Sequence, residues 1–169
     1  YTTKKPGDNW FEIAYDDRDW SKDWSGFGAK GTPGSIVRTE WKTSDIWLRK
    51  DFRLVEIPGK LTLRIHHDED AEVYLNGKQI RKFTGHVGRY VDVDITEASL
   101  DVLQTGRNTI AIHCKQTAGW QYIDAGLLVD YNITPVPVLA RLHGKEILGD
   151  KKLAEYNRLN QQLVTLEQQ

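Results

Sequence analysis

Residues 65–77 read IHHDEDAEVYLNG. Ala71, Val73 and Leu75 alternate with polar residues, which is the period of a half-buried β-strand. The run ends in Asn76 followed by glycine, the strongest short signal for a β-hairpin. Two histidines and three carboxylates stand just before this run, so the same stretch also raises the question of a metal or catalytic site.

Alternation of this kind recurs through most of the chain and predicts an antiparallel β domain. Further strands are expected at residues 46–54, 61–65, 78–83, 90–95, 110–114 and 123–129. A short helix capped by Thr96 is expected before the last two strands. Seven or more short strands separated by Gly, Asn and Asp turns indicate an all-β jelly-roll sandwich over residues 1–133.

The pattern changes in the C-terminal part, residues 134–169. The sequence TPVPV at 134–138 predicts an extended proline linker, and residues 150–169 have helical periodicity with Asp150 as the N-cap. Such a helix is too short to be stable alone. We therefore expect it to pack on the sandwich, to pair with another helix or to lead into a further domain.

Composition narrows the classes of partner. The chain has 169 residues, 23 basic and 24 acidic, with a formal net charge of -1, which gives no electrostatic basis for binding nucleic acid. No apolar run approaches the roughly 20 residues of a membrane-spanning helix, so membrane insertion is not expected. The single cysteine, Cys114, excludes an intrachain disulfide, and methionine is absent, which predicts a processed or excised piece of a longer protein.

Strand directions predict where a binding site would lie. If each connection reverses the chain, loops around residues 24–45, 67–70, 85–89 and 116–121 meet at one end, here called the top. Tryptophan faces together with carboxylates, amides and arginine suit a sugar, because rings stack on C–H faces while polar groups bind hydroxyls. The predicted ligand-binding residues are Trp24, Trp41, Asp45, His67, Asp70, Arg89, Trp120 and Gln121.

Other chemistry has less support in the sequence. His66 and His67 are neighbours on an extended segment and point to opposite faces, which disfavours a shared transition-metal site. Asp68 and Asp70 offer oxygen ligands, so the corner is either a structural calcium site or a solvated turn. Cys114 shares a strand face with apolar residues and is expected to be a core thiol. No catalytic residue and no other cofactor is predicted, since no P-loop, nucleophile elbow or dinucleotide fingerprint is present.

Several motifs occur in an order that resembles a known family. They are DDRDW at 16–20, GFG at 26–28, RTEWKTSDIWLRKDF at 38–52, HDEDAEVYLNG at 67–77, GRN at 106–108 and QYIDAG at 121–126. This order is similar to the N-terminal sugar-binding domain of family-two glycoside hydrolases and to accessory domains of large exported bacterial proteins. The resemblance covers about residues 1–131, implies a galactose-binding-like sandwich and carries no catalytic residue onto this chain.

The resemblance and the loop convergence together lead to a functional expectation. We expect a non-catalytic carbohydrate-binding module of an exported bacterial protein, secreted, periplasmic or at the cell surface. Its expected partners are a glycan and the catalytic domain of the parent protein. The alternative, motivated by the C-terminal helix, is a structural module that docks a neighbouring domain or subunit and binds no sugar.

Overall fold

Nine strands form two sheets in the computed structural model, which describes residues 1–131 and 136–167. The strands are β1 (Phe27–Gly28), β2 (Thr39–Glu40), β3 (Asp45–Leu54), β4 (Lys60–Asp68), β5 (Asp70–Leu75), β6 (Lys78–Phe83), β7 (Val91–Asp94), β8 (Gly106–Lys115) and β9 (Tyr122–Asp130). One sheet has the order β2-β1-β9-β4-β7, and the other has the order β3-β8-β5-β6. The expected all-β sandwich class is confirmed.

The core lies between the two sheets, where the alternation places it. Leu61, Leu63 and Ile65 of β4 face inward and are fully buried, as is Val73 of β5. Cys114 belongs to the same core cluster, so the prediction of a core thiol is confirmed. Burial raises the pKa of this thiol far above its usual range.

The predicted strand reversals are also confirmed for β3 to β9. Asp68 at the end of β4 pairs with Tyr122 at the start of β9, and Asp45 at the start of β3 pairs with Lys115 at the end of β8. The loops predicted to meet therefore share the top end. The short strands β1 and β2 were not predicted, because two residues carry no readable period.

The opposite end is built by the Asn76 hairpin and by Asn108. Asn76 and Gly77 both have positive φ, 48° and 95°, as a tight hairpin turn requires. The Asn76 Nδ2 group donates to Asn108 Oδ1 at 2.7 Å, and Asn108 Nδ2 donates to the Gln104 carbonyl at 2.7 Å. The N-G and G-x-N motifs therefore have structural roles.

An N-terminal segment covers the outer face of the four-stranded sheet. Trp10 is buried against Trp47 and Ala111, and Phe11 stacks on Tyr74 with ring centroids 4.6 Å apart. Trp20 packs at the margin of the same cluster, so Trp10, Trp20 and Trp47 are all packing residues.

The C-terminal helix begins earlier than the sequence predicted. Helix α2 spans Val136–Glu167, so residues 136–138 are helical and not an extended linker. Proline is tolerated in the first turn of a helix because its missing N–H has no intrahelical partner there, which explains Pro137. Gly149, with φ 72° and ψ 164°, interrupts the helical conformation, so the second part of α2 begins at Asp150, where the sequence predicted a helix. The rest of the predicted linker, residues 134 and 135, and the last two residues of the predicted helix lie outside the described part of the chain.

The short helix α1 (Thr96–Ser99) differs from its prediction by one position at its start. Its N-cap is Ile95, and the Asp94 carboxylate accepts hydrogen bonds from both the backbone N–H and the hydroxyl of Thr96. Arg141 of α2 forms an ion pair with Asp101 just beyond α1, which ties the C-terminal helix to the sandwich. Neither described helix combines the length and apolarity that crossing a membrane would need.

Candidate functional site

Three loops at the top are tied together by hydrogen bonds. The Gln116 backbone N–H donates to the Ser44 carbonyl at 2.7 Å, and the Gln121 side chain donates to the Thr43 carbonyl at 3.2 Å. The Thr117 hydroxyl donates to the Glu69 carboxylate. The top is therefore a connected surface, which is the condition for loop residues to act on one ligand.

Trp120 is the aromatic side chain that this surface presents to solvent. Its side chain is 50% exposed, and its six-membered ring lies over Gly31, 3.7 Å from where a Cβ would stand. Gly31 has φ 91°, a conformation that favours glycine, so the loop supports the ring without a side chain of its own. The ring edge formed by Cη2 and Cζ3 is therefore close to Gly31, while half of the side chain is exposed to solvent.

The prediction that Trp41 stacks on a ligand is wrong. Trp41 is only 2% exposed and belongs to the core cluster. Its Nε1 donates to Thr43 Oγ1 at 2.9 Å and to the Asp45 carbonyl at 3.3 Å. The turn between β2 and β3 folds the indole inward because its large apolar surface is more stable in the core than in water.

His67 and Gln121 are also buried and support the loops from inside. His67 Nδ1 donates to the carbonyls of Glu69 at 2.6 Å and Gly85 at 3.0 Å. Gln121 is held by Thr43 as described above. Since both polar groups are already bonded, these two residues are corrected from ligand contacts to supports of the loops.

The two predicted hydroxyl-binding aspartates have different environments. Asp70 Oδ1 accepts the Gly85 backbone N–H at 2.8 Å and keeps its carboxylate partly exposed. Asp45 Oδ1 bonds His113 Nε2 at 2.8 Å, and His113 in turn stacks on Trp47. Burial alone would raise the pKa of Asp45, but hydrogen bonds from Ser44 and His113 outweigh it and lower the pKa. The Asp45 carboxylate is therefore bonded to His113 within the four-stranded sheet.

The suggested calcium ligands, Asp68 and Asp70, have no third side-chain ligand near them. Among residues 1–131 and 136–167, no three His, Cys, Asp or Glu side chains are grouped to hold a metal ion. Burial and then the neighbouring Glu69 raise the pKa of Asp68. A calcium site here stays a prediction.

The remaining two predicted residues are exposed. Arg89 is exposed in the loop before β7. Trp24 is 77% exposed and lies beside β2, where its carbonyl accepts the Thr39 hydroxyl at 2.7 Å. It belongs to the side of the five-stranded sheet and not to the loops at the top.

A polar cluster on the outer face of that sheet was missed. The Tyr90 hydroxyl donates to Asp124 Oδ2 at 2.5 Å, the Ser25 hydroxyl donates to Asp124 Oδ1, and the Tyr90 and Tyr122 hydroxyls are 3.3 Å apart. Burial, followed by the Asp124 hydrogen bond, raises the pKa of Tyr90 well above its usual range. The sequence did contain a signal for this cluster. Asp124 alternates with the apolar residues of β9 and so points away from the core.

His66 lies behind this cluster and is 1% exposed. Its ring meets Tyr122 and Tyr90 edge-on, with centroids 4.6 and 5.5 Å away. Burial, and then the neighbouring His67, lower the pKa of His66, so the ring is neutral at pH 7. Its Nδ1 has no hydrogen-bond partner among the described residues.

Comparisons with known proteins give matches to solved structures alone. No family model matches the chain, and no curated protein matches it. The α-L-rhamnosidase of Dictyoglumus thermophilum matches at 17% identity and a TM-score of 0.42, over 53% of this chain and 11% of that one. A family-two glycosyl hydrolase of Bacteroides cellulosilyticus matches at 18% identity and a TM-score of 0.43, over 73% of this chain and 19% of that one.

A third match is the β-glucuronidase of Ruminococcus gnavus in complex with uronic isofagomine, at 26% identity and a TM-score of 0.35, over 43% of this chain and 12% of that one. The chain therefore spans between 11% and 19% of the length of these three proteins.

Proposed function

We propose that this chain is a non-catalytic carbohydrate-binding module of a larger, exported bacterial protein that processes carbohydrates. The observation that supports it most is the half-exposed Trp120 ring, supported by Gly31 on a surface of hydrogen-bonded loops. An aromatic ring held in a fixed position suits the C–H face of a sugar, because little conformational entropy is lost when the sugar stacks on it.

Polar groups near the ring would supply the contacts to sugar hydroxyls. Asp70 and Arg89 remain partly or fully exposed on neighbouring loops, and Glu69 is held in place by Thr117. Carboxylate oxygens accept and guanidinium N–H groups donate, so together they match hydroxyls that do both. The proposed ligand set at the top is therefore Trp120, Asp70 and Arg89, with Glu69 added.

Two features support a binding role over a catalytic one. The single thiol, Cys114, is fully buried with a raised pKa, which removes it as a nucleophile. His113 points to the opposite face of the strand, where Asp45 and Trp47 hold it. A parent protein would supply the catalytic domain.

The test is a glycan array followed by calorimetry on the whole chain. We expect binding to at least one glycan and a loss of roughly tenfold in affinity for Trp120→Ala, equivalent to about 1.4 kcal/mol. The matched control is Val55→Ala, a highly exposed apolar residue after β3 at the other end of the sandwich. An array without any bound glycan, or equal affinities for Trp120→Ala and the control, would contradict the proposal.

The apolar surface of α2 favours a second candidate function, docking onto a neighbouring domain or subunit. Seven large apolar side chains of this helix are exposed: Val136, Leu139, Leu142, Ile147, Leu159, Leu163 and Leu166. A helix that leaves this much apolar surface in water suits a partner that buries it. The triple variant Leu159→Gln, Leu163→Gln, Leu166→Gln tests this by sedimentation of the whole chain. Unchanged association and unchanged solubility would argue against docking through this half of the helix.

A further inference from the structure

The loop of residues 29–38 divides the upper part of the molecule into two surfaces. It leaves β1, crosses β9 and reaches the loop before β7, where a Cβ on Gly34 would stand 2.4 Å from the Gly88 carbonyl oxygen and 3.9 Å from His66 Cε1. The Tyr122 hydroxyl holds it from below by donating to the Ile36 carbonyl at 3.3 Å. Trp120 rests on the loop at the top, and the outer face of the five-stranded sheet begins beneath it.

The polar centre of this outer face is Asp124. Its carboxylate accepts the hydroxyls of Ser25 and Tyr90, and Arg38 Nη1 lies 4.0 Å from Asp124 Oδ2. The Arg38 guanidinium is about half exposed, and among the described residues it donates a hydrogen bond to the Ser25 carbonyl at 3.2 Å. Since a guanidinium carries five N–H groups, Arg38 retains donors for a ligand.

Apolar and open surface adjoins this centre. Trp24, next to Ser25 in the chain, is the most exposed tryptophan. Gly126 follows Asp124 on the same face about 7 Å further along the strand, and no atom of the described part of the chain would stand within 4 Å of a Cβ there. This open face, the shelf, extends from Asp124 past Gly126, and the exposed Trp24 precedes Ser25 in the segment beside it.

One buried polar atom lies behind the two tyrosines without a partner among the described residues. Buried side-chain nitrogens are nearly always hydrogen-bonded, yet His66 Nδ1, behind Tyr90 and Tyr122, has no partner in the described residues. The two tyrosine hydroxyls in front of it already form part of the Asp124 network. The exposed N–H groups of Arg38 beside this network are the donors that a ligand rich in hydroxyls would meet.

We infer that this shelf is a second carbohydrate surface, which binds several linked units of a neutral glycan chain through Trp24, Arg38, Tyr90 and Asp124. The inference rests on the proposed function and extends it from one sugar at Trp120 to a chain. An open face does not surround a single sugar, so one sugar makes few contacts with it. Each further sugar of a chain adds its own contacts with the face. Arg38 and Asp124 bring opposite charges, which favours a neutral ligand over a strongly acidic or basic one.

The experiment uses the whole chain and a panel of neutral glycans: xylan, galactan, arabinan, β-glucan and galactomannan, each with oligosaccharides of two to six units. Affinities are measured by calorimetry for wild type, Trp24→Ala, Trp120→Ala and the control Val55→Ala. We expect Trp24→Ala to weaken hexasaccharide binding roughly tenfold and disaccharide binding little, because a short ligand at Trp120 does not reach the shelf.

A second variant, Gly126→Arg, tests the shelf by obstruction. Its side chain enters open space, so the fold should hold, while the shelf is blocked. We expect the same preferential loss for long ligands. The second surface would be overturned if Trp24→Ala and Gly126→Arg both bind hexasaccharide as tightly as the control while Trp120→Ala does not bind it. That result would leave the proposed site at Trp120 intact. No binding of any panel member by wild type would overturn both proposals.

Discussion

The outer faces of the two sheets differ in what lies against them. On the four-stranded sheet, Trp47 and Tyr74 are covered by the N-terminal segment, and Arg49 is enclosed beneath it. On the five-stranded sheet, Arg64 pairs with Asp92 in solvent, and no atom of residues 1–131 and 136–167 stands within 4 Å of where a Cβ on Gly126 would lie. The strands of both sheets alternate in the same way, so alternation does not decide whether an outward residue becomes a second core or a free surface.

The difference follows from the residues that reach each face. The N-terminal segment carries large rings, and their burial against Trp47 stabilises the fold by removing apolar area from water. The loop of residues 29–38 is rich in glycine and covers only the top of the other face. Surface available for a ligand is therefore concentrated on the five-stranded side.

The largest expected effect tests the covered face. Trp10→Ala removes a ring that contacts Phe11 and Tyr74 edge-on, at 5.7 and 5.4 Å. We expect a loss of about 3–5 kcal/mol in the free energy of unfolding, measured with urea. Trp24→Ala, on the exposed side, should change it by less than about 0.5 kcal/mol. Similar losses for the two variants would show that the faces do not differ as described.

Two arginine–aspartate pairs sharpen the same comparison. The Arg49 side chain is 1% exposed, bonds Asp17 at 2.9 Å and donates to the carbonyls of Trp10 and Glu12. Arg49→Ala should therefore destabilise the fold by about 2–4 kcal/mol. Arg64→Ala breaks a pair that is half exposed, so a loss of no more than about 1 kcal/mol is expected. Equal urea midpoints for the two variants would contradict this.

We expect acid to reduce the stability of the fold through His66, which lies on the five-stranded sheet. Burial and His67 lower its folded pKa below 6.5, so as the pH falls through 6.5 the unfolded chain takes up a proton that the folded chain does not. The contribution of His66 to stability is complete above about pH 7 and declines below 6.5. His66→Phe should reduce the fall in melting temperature between about pH 7 and 5.5. His143 is an exposed residue of α2, and His143→Gln serves as the control, with the same fall in melting temperature as wild type expected. If the melting temperature of His66→Phe falls as steeply as that of wild type, His66 is not the group responsible.

The smallest expected effect is at Gly126, and Gly28 provides the contrast. Gly126→Thr enters open space in a strand, so a gain of about 0.5 kcal/mol is expected. Gly28→Ala would bring a Cβ to 2.5 Å from the Gln121 carbonyl oxygen, which predicts a loss of about 1–3 kcal/mol. Thermal unfolding distinguishes the two, and a loss for Gly126→Thr would mean that the shelf is packed in solution.

Local patterns predicted the fold more fully than the site. The strand of residues 71–75 and its Asn76 turn were readable because a two-residue period and a positive-φ turn are properties of neighbouring residues. The start of α2 was misplaced because the two prolines indicated an extended linker, whereas proline is tolerated in the first turn of a helix. Trp41 and Trp120 show the limit for the site. Both stand near loops, and only the packed structure shows one in the core and the other on the surface.

The sequence by itself determined that residues 65–77 form a strand, a corner and a hairpin, since these depend on alternation and turn chemistry. It also determined that Cys114 is a core residue, because its neighbours on the strand face are apolar. Only the tertiary structure decided that the corner histidine His67 supports loops from inside, and that Asp124 meets Ser25 and Tyr90. Those contacts join residues far apart in the chain, and their formation depends on which loop covers which face.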